Sequence, residues 1–381
     1  MHPIVILGSG LAGYNVAREL RKLDKDAPLV IISADSGSFY SKPMLSSAFG
    51  SKKTAQSIAM NTAEQMAAQI NGSVRANTRV TAIDTAAHTV SIDAETIAWS
   101  KLVLALGADQ IRLPIEGDGA GSVMTVNDLD EYAAFRTALG EKSTVALIGA
   151  GLIGTEFAND LTAGGHTVHV IDIAAWPLAR LLPQEGGALL QQRLAAIGVN
   201  WHLGTSAASI AKNDDGLRVV LANGTAFDAA VALSAVGLRP RTALAQAAGI
   251  KTNRGIVINR LHETSAPDVY ALGDCVEIEG LVLPYVMPLM PSARALAATL
   301  AGKATPVSYP AMPVLVKTPT WPTVVSPPAV GAQGQWDVSS DAEGMKALFK
   351  SADGKLLGFA LHGKAVAERA ALAKELPPVL A

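Results

Sequence analysis

Gly8-Ser9-Gly10-Leu11-Ala12-Gly13 follows the apolar run of residues 4–7 and opens a helix-like stretch over residues 14–23. The pattern returns as Gly149-Ala150-Gly151-Leu152-Ile153-Gly154, after the apolar residues 145–148 and before residues 155–163. Each copy reads as strand, tight turn, helix. The first glycine permits the turn, the second lets a pyrophosphate approach the main chain, and the third lets helix and strand pack closely. The helix N-terminus adds free N–H groups and the positive end of a dipole. One such turn is weak evidence. Two in matching context predict two dinucleotides on one chain, one giving electrons and one taking them.

The rest of the composition narrows the class. The chain has 381 residues, 49% hydrophobic and 17% charged, with a net charge of −2. That suits two or three well-buried α/β domains and offers no basic field for nucleic acid or anionic lipid. The single cysteine, Cys275, allows no internal disulfide and no CxxC pair, and reads as a small buried residue. The seven histidines show no metal-ligand spacing, so no metal site is expected. No stretch is long and apolar enough to span a membrane. Residues 4–7 lack a basic segment before them and break into glycines, so they read as a strand rather than a secretory signal, and the cytoplasm is the expected location.

The expected fold class is α/β: two Rossmann-like (three-layer ββα) dinucleotide-binding domains, the second inserted in the first, plus a small α+β C-terminal domain. The first would comprise residues 1–112 and 248–304, the second 113–247 and the third 305–381. Strands are expected at residues 29–33, 80–83, 89–92 and 102–106, with a linker over 108–121. The second unit shows strands at 168–171, 218–221 and 230–235, a helix over 188–197, and a hairpin signal at Asn223-Gly224. Residues 255–258 and 268–274 read as strands returning to the first unit, and 288–301 as a helix. Seven of the 20 prolines lie between residues 306 and 328, a segment unsuited to central strands. Beyond it, strands are expected at 345–350 and 356–361, and a helix over 365–375.

An acid after the second strand of such a fold binds a ribose. Asp172 has that place in the second unit; its carboxylate would accept from a 2′-OH and repel a 2′-phosphate, favouring NADH, with NADPH the alternative. In the first unit Ser33, Ala34 and Asp35 share the place, Asp35 being the ribose partner of choice. Gly273-Asp274 ends an apolar strand with a carboxylate that a flavin's ribityl chain would satisfy. The helix after residues 284–291 would aim its N-terminus, and the amides near Val286 and Met287, at the flavin pyrimidine edge. Lys317 is the only charged residue between Lys303 and Asp337. Either it snorkels to water, or it pairs with Glu156 beside the flavin N5 edge. Lys42 stands where a cation would reach the first dinucleotide's pyrophosphate, unless it is a plain loop residue.

These residues resemble a family. The turn at Gly8, Ala105-Leu106-Gly107-Ala108, the turn at Gly149, Ala235-Val236-Gly237-Leu238-Arg239-Pro240 and Tyr270-Ala271-Leu272-Gly273-Asp274-Cys275 follow the order of the pyridine nucleotide-disulfide oxidoreductase superfamily, over nearly the whole chain. Tyr40-Ser41-Lys42-Pro43-Met44-Leu45-Ser46, residues 285–290 and Val316-Lys317-Thr318-Pro319 look closely like its rubredoxin–NAD reductase branch. The resemblance implies FAD on the first unit, NAD(P)H on the second, and FAD contacts from residues 9–12, Asp35, Lys42, Val80, Glu156, Asp274, Val286 and Lys317. It also implies Ala105, Gly107 and Gly237 as cofactor-binding, and rubredoxin or a similar small iron–sulfur or iron carrier as partner, feeding alkane hydroxylation or oxygen detoxification. With no dithiol, electrons should pass from NADH through FAD directly to that carrier, with Lys42, Lys52, Lys53 and Lys317 the nearest docking charges. A ferredoxin or flavorubredoxin reductase, an NADH oxidase, and an NAD-binding regulator are the alternatives.

Overall fold

A computed structural model describes residues 2–381. The strand Ile4–Leu7 is central in a parallel sheet of order Val269–Ala271, Lys101–Leu104, Ile4–Leu7, Leu29–Ile32, Ser73–Arg75. Side chains alternate across it. Val5, Leu7, Leu102 and Leu104 enter a core shared with the antiparallel strands Ala82–Asp84, Thr89–Ile92 and Glu95–Ala98. Ile4, Ile6, Ile31 and Val103 enter another, shared with the helices Leu11–Leu23 and Leu289–Leu300. Strands covered on both faces read as unbroken apolar runs, which is how residues 4–7 appear in sequence.

The chain leaves this sheet after Leu104 and rejoins it at Val269, so the second unit is an insertion. It repeats the architecture. Its parallel sheet has the order Val199–Leu203, Thr167–Asp172, Thr144–Ile148, Val231–Ser234. Ala146, Ile148 and Ile171 face the antiparallel strands Ala207–Asn213, Gly216–Leu221 and Ala226–Ala229. Val145, Leu147, Val168 and Val170 face the helical side with Phe157 and Leu190. Asn223-Gly224 does turn a hairpin, Gly224 having φ +86°.

The tail is a five-stranded antiparallel sheet of order Val314–Val316, Thr323–Ser326, Leu356–Gly363, Gly344–Lys350, Gln335–Ser340, followed by the helix Arg369–Glu375. One core, containing Leu45, Phe49 and Ile58 of the first unit, Phe135 and Phe157 of the second, and Val316, Val325 and Met345 of the tail, joins all three. A dry apolar junction of this kind holds domains in one arrangement, unlike the polar interfaces of domains that move.

Several expectations need correction. Thr323–Ser326 is an inner strand despite the prolines, because Pro322 and Pro327 flank it and remove no ladder donor from it. Residues 108–121 are not a plain linker. Ala108–Gln110 pairs antiparallel with the returning strand Leu238–Pro240, which satisfies main-chain groups at the crossing. Arg241 ties it further, its Nε 2.6 Å from Asp109 Oδ1. The strand expected from residue 80 begins at Ala82, leaving Val80 a loop residue packed on the first core. Ile256–Ile258 pairs with Val276–Ile278 instead of the main sheet. The last helix begins at Arg369, after a 3-10 segment over Lys364–Glu368.

Candidate functional site

The two glycine turns share one geometry. Gly8 has φ +117°, and a Cβ on it would stand 2.2 Å from Ala105 O; a Cβ on Gly13 would stand 1.9 Å from Gly8 O. Gly149 has φ +109°, and a Cβ on Gly154 would again stand 1.9 Å from the first glycine's carbonyl oxygen. The middle glycines differ: a Cβ on Gly10 or Gly151 would meet nothing within 4 Å. Gly10 and Gly151 cap the helices Leu11–Leu23 and Leu152–Ala163 with no side-chain hydrogen bond and no acid in either first turn. The helix Leu129–Leu139 is the contrast, capped by Asp128 with Asp130 and Glu131 following. Two N-termini are therefore open to an anion, with room at the main chain for a pyrophosphate.

This clearance separates two kinds of substitution. Gly10→Ala and Gly151→Ala, at φ −69° and −72°, are expected to leave the ligand-free fold intact and to weaken the dinucleotide of their own turn. Gly13→Ala and Gly154→Ala are expected to destabilise the fold itself. Melting temperatures of the apoprotein, with FAD content and KM for NADH, decide it. A Gly10→Ala protein retaining full FAD affinity would count against the first turn as a phosphate site.

At the end of Leu29–Ile32 a small network joins the turn to Asp35. Ser33 Oγ donates to Asp35 Oδ1 at 2.5 Å and the Gly37 amide at 2.9 Å, while Ser9 Oγ lies 2.6 Å from Ser33 Oγ. Oδ2 of Asp35 stays uncommitted among the described residues, as a ribose acceptor requires, whereas Ala34 is exposed and offers only main chain. Lys42 and Asp274 influence each other's charge without forming an ion pair. Burial lowers the Lys42 ammonium's pKa and raises that of the Asp274 carboxyl, and each charge opposes the other's shift. Lys42 is partly exposed and Lys52 exposed. Gly273, at φ +85°, packs against Ala12; a Cβ there would lie 2.9 Å from Ala12 Cβ. Gly107 and Gly237 have φ +71° and +120°, and Ala105 is buried beside Gly8. Val286 and Met287 are exposed, and their amides find no acceptor among the described residues.

Asp172, the last residue of Thr167–Asp172, has a second task the sequence did not disclose. Its Oδ2 accepts from the amide of Ala150 at 2.5 Å and its Oδ1 from that of Ala174 at 2.7 Å. It braces the second glycine turn. Asp172→Arg is therefore expected to raise the NADPH-to-NADH ratio of kcat/KM while lowering turnover with both. An unchanged ratio would remove Asp172 from coenzyme selection.

Lys317 does not snorkel away. Its Nζ pairs with Glu156 Oε2, and its amide donates to Glu156 Oε1 at 3.0 Å. Glu156 is 1% exposed, and the Lys317 side chain 28%. Two further residues were missed. Ser46 Oγ donates to Glu156 Oε2 at 2.6 Å and accepts from Lys317 Nζ at 3.0 Å. One helical turn beyond Glu156, Asp160 accepts from the amides of Phe49 and Gly50 at 2.7 and 3.1 Å, and burial raises its carboxyl's pKa. The i, i+4 spacing of these acids, in a helix with no other charge, was the available signal. One helix face thus ties the second unit to the first and to the tail.

Cys275 is fully buried, its thiol pushed up to about 11 by burial, and is no redox group at neutral pH. Among the described residues no cluster of histidine, cysteine and carboxylate is fit to hold a metal. His169 Nδ1 and His202 Nε2 lie 2.9 Å apart against Phe227, bonded to each other. No described helix is long and apolar enough to cross a membrane.

Two open dinucleotide turns, a cation–carboxylate pair on the helix behind the second of them and a sealed single thiol define a two-dinucleotide electron-transfer protein that works without a dithiol. Residues 2–297 match the pyridine nucleotide-disulphide oxidoreductase family, and residues 306–376 the rubredoxin binding C-terminal domain. The chain belongs to the pyridine nucleotide-disulphide oxidoreductase family. It is 50% identical over 381 residues to the rubredoxin-NAD(+) reductase of Alcanivorax borkumensis, covering all of both chains. Identity to that of Acinetobacter baylyi is 45%, over all of this chain and 99% of the relative. Among solved structures, a ferredoxin reductase for the CYP199A2 system of Rhodopseudomonas palustris is similar at TM-score 0.88 and 27% identity, over 99% of this chain and 96% of that one.

Proposed function

We propose that the protein transfers electrons from NADH through FAD to rubredoxin, which passes them to an oxygenase or an oxygen-detoxifying enzyme. The observation that carries this is the pair of uncapped helix N-termini with open middle glycines in a chain whose only thiol is sealed. FAD would be held by residues 1–112 and 248–304, NADH by 113–247, and residues 305–381 would complete the interface for the carrier.

When bound, FAD accepts an electron pair from NADH and releases electrons singly to an iron carrier. The chain's own residues do the rest. The Gly10 turn and Lys42 would bind the FAD pyrophosphate, Asp35 its ribose, and Asp274 its ribityl hydroxyls. The amides of Val286 and Met287, with the helix Leu289–Leu300 behind them, neutralise negative charge at the pyrimidine edge. The Gly151 turn and Asp172 would hold NADH, and the Glu156–Lys317 pair would hold a cation on the helix behind that turn. An NADH donor and a lone buried thiol suit a cytoplasmic location.

The test is spectroscopic. Anaerobic NADH should bleach the visible absorbance of the purified protein, and oxidised rubredoxin should restore it. Faster restoration by a ferredoxin or a flavorubredoxin would reassign the acceptor, and rapid oxygen consumption without a carrier would make it an oxidase.

A further inference from the structure

Ser46, Glu156 and Lys317 come from three different units and close a ring: hydroxyl to carboxylate, ammonium to carboxylate, ammonium to hydroxyl. An ammonium has three donors. Glu156 and Ser46 take two, and the part-exposed Lys317 side chain leaves the third on the open side, since Glu156 itself is sealed. On the function proposed above, that open side would face the flavin. The six-residue 3-10 segment Lys42–Ser47 carries both Lys42, whose charge Asp274 feels, and Ser46, which reaches Glu156. Glu156 alone would anchor the ammonium on one side and leave it free to swing on a four-carbon stem. A second anchor from a different element removes that freedom. Ser46 is buried, and its hydroxyl contacts nothing else in the pair's reach but Pro43 O, at 3.3 Å.

Resting on the function proposed above, we infer that Ser46 is a positioning residue: its hydroxyl aims the remaining N–H of Lys317 at the flavin, where it stabilises the negative charge of reduced FAD. Ser46→Ala removes the second anchor and keeps the volume nearly unchanged. Ser46→Cys keeps the size but substitutes a weak acceptor, and Ser46→Thr keeps the hydroxyl.

Two readouts decide it. In FAD-loaded protein, Ser46→Ala and Ser46→Cys should bind reduced FAD about tenfold less tightly relative to oxidised FAD, a midpoint about 30 mV lower for a two-electron couple, and Ser46→Thr should stay near the wild type. In the apoprotein, Lys317 should react about tenfold faster with an amine-acylating reagent in the alanine and cysteine variants, as followed by peptide mass spectrometry. An unchanged midpoint in a variant that holds FAD, or unchanged Lys317 labelling, overturns the inference. A wild-type protein that takes up no FAD overturns the proposed function instead, and the labelling then still judges the role of Ser46. Should the alanine variant not fold, the cysteine variant carries both measurements.

Discussion

Glu156→Gln should slow the reduction of bound FAD by NADH about 10- to 100-fold, the kinetic equivalent of one hydrogen bond to a charged group. The carboxylate accepts from the Lys317 amide, the Lys317 ammonium and the Ser46 hydroxyl. Glutamine keeps the shape but puts an NH₂ group in place of one oxygen, so donor meets donor on that side. Breaking a fully buried pair costs about 3–5 kcal/mol, but Lys317 is partly exposed and turns to water, so the smaller figure applies. The same change loosens the tie between the helix Leu152–Ala163 and the tail, and the melting temperature should fall with the rate. Rapid mixing with NADH measures the rate directly. Wild-type reduction by Glu156→Gln would take the pair out of the electron route.

The FAD-saturated protein should lose stability steeply between pH 6.5 and 4. His262 and His362 are fully buried, and burial pulls each pKa down to about 4. Above pH 6.5 both are neutral whether the chain is folded or not. Near pH 5 the unfolded chain binds a proton at each and the folded chain binds none. The stabilisation is therefore complete above the unfolded value and lost as pH falls through the folded one. Each histidine contributes about 3 kcal/mol to that loss, together a large part of the roughly 5–15 kcal/mol that holds a domain folded. His166, His169 and His202, also lowered by burial, act in the same direction. Asp160 and Asp274, raised by burial, act in the opposite one: what they contribute is present at low pH and fades as pH rises through their raised values. Urea midpoints at pH 7.5, 6 and 5 measure the sum. A midpoint unchanged from pH 7.5 to 5 would mean that neither histidine is sealed from water.

The sequence by itself determined the two dinucleotide turns, their strands and helices, the inserted order, and the places of Asp35, Asp172 and Asp274 beside strand ends. These are local properties: a positive φ, the room left by a missing Cβ, and a helix end a few residues away need no distant partner to be recognised. The isolation of Lys317 among apolar residues likewise pointed to Glu156, 161 positions earlier. Only the tertiary structure decided that Ser46 joins them, that Asp160 ties the same helix to Phe49 and Gly50, and that Asp172 braces its own glycine turn. It also decided that Thr323–Ser326 lies inside a sheet and that residues 108–110 pair with a returning strand. A hydroxyl or a carboxylate has no pattern of its own in sequence. Its partner is chosen by how three units pack on one apolar core, and that packing depends on the shapes of surfaces hundreds of residues apart.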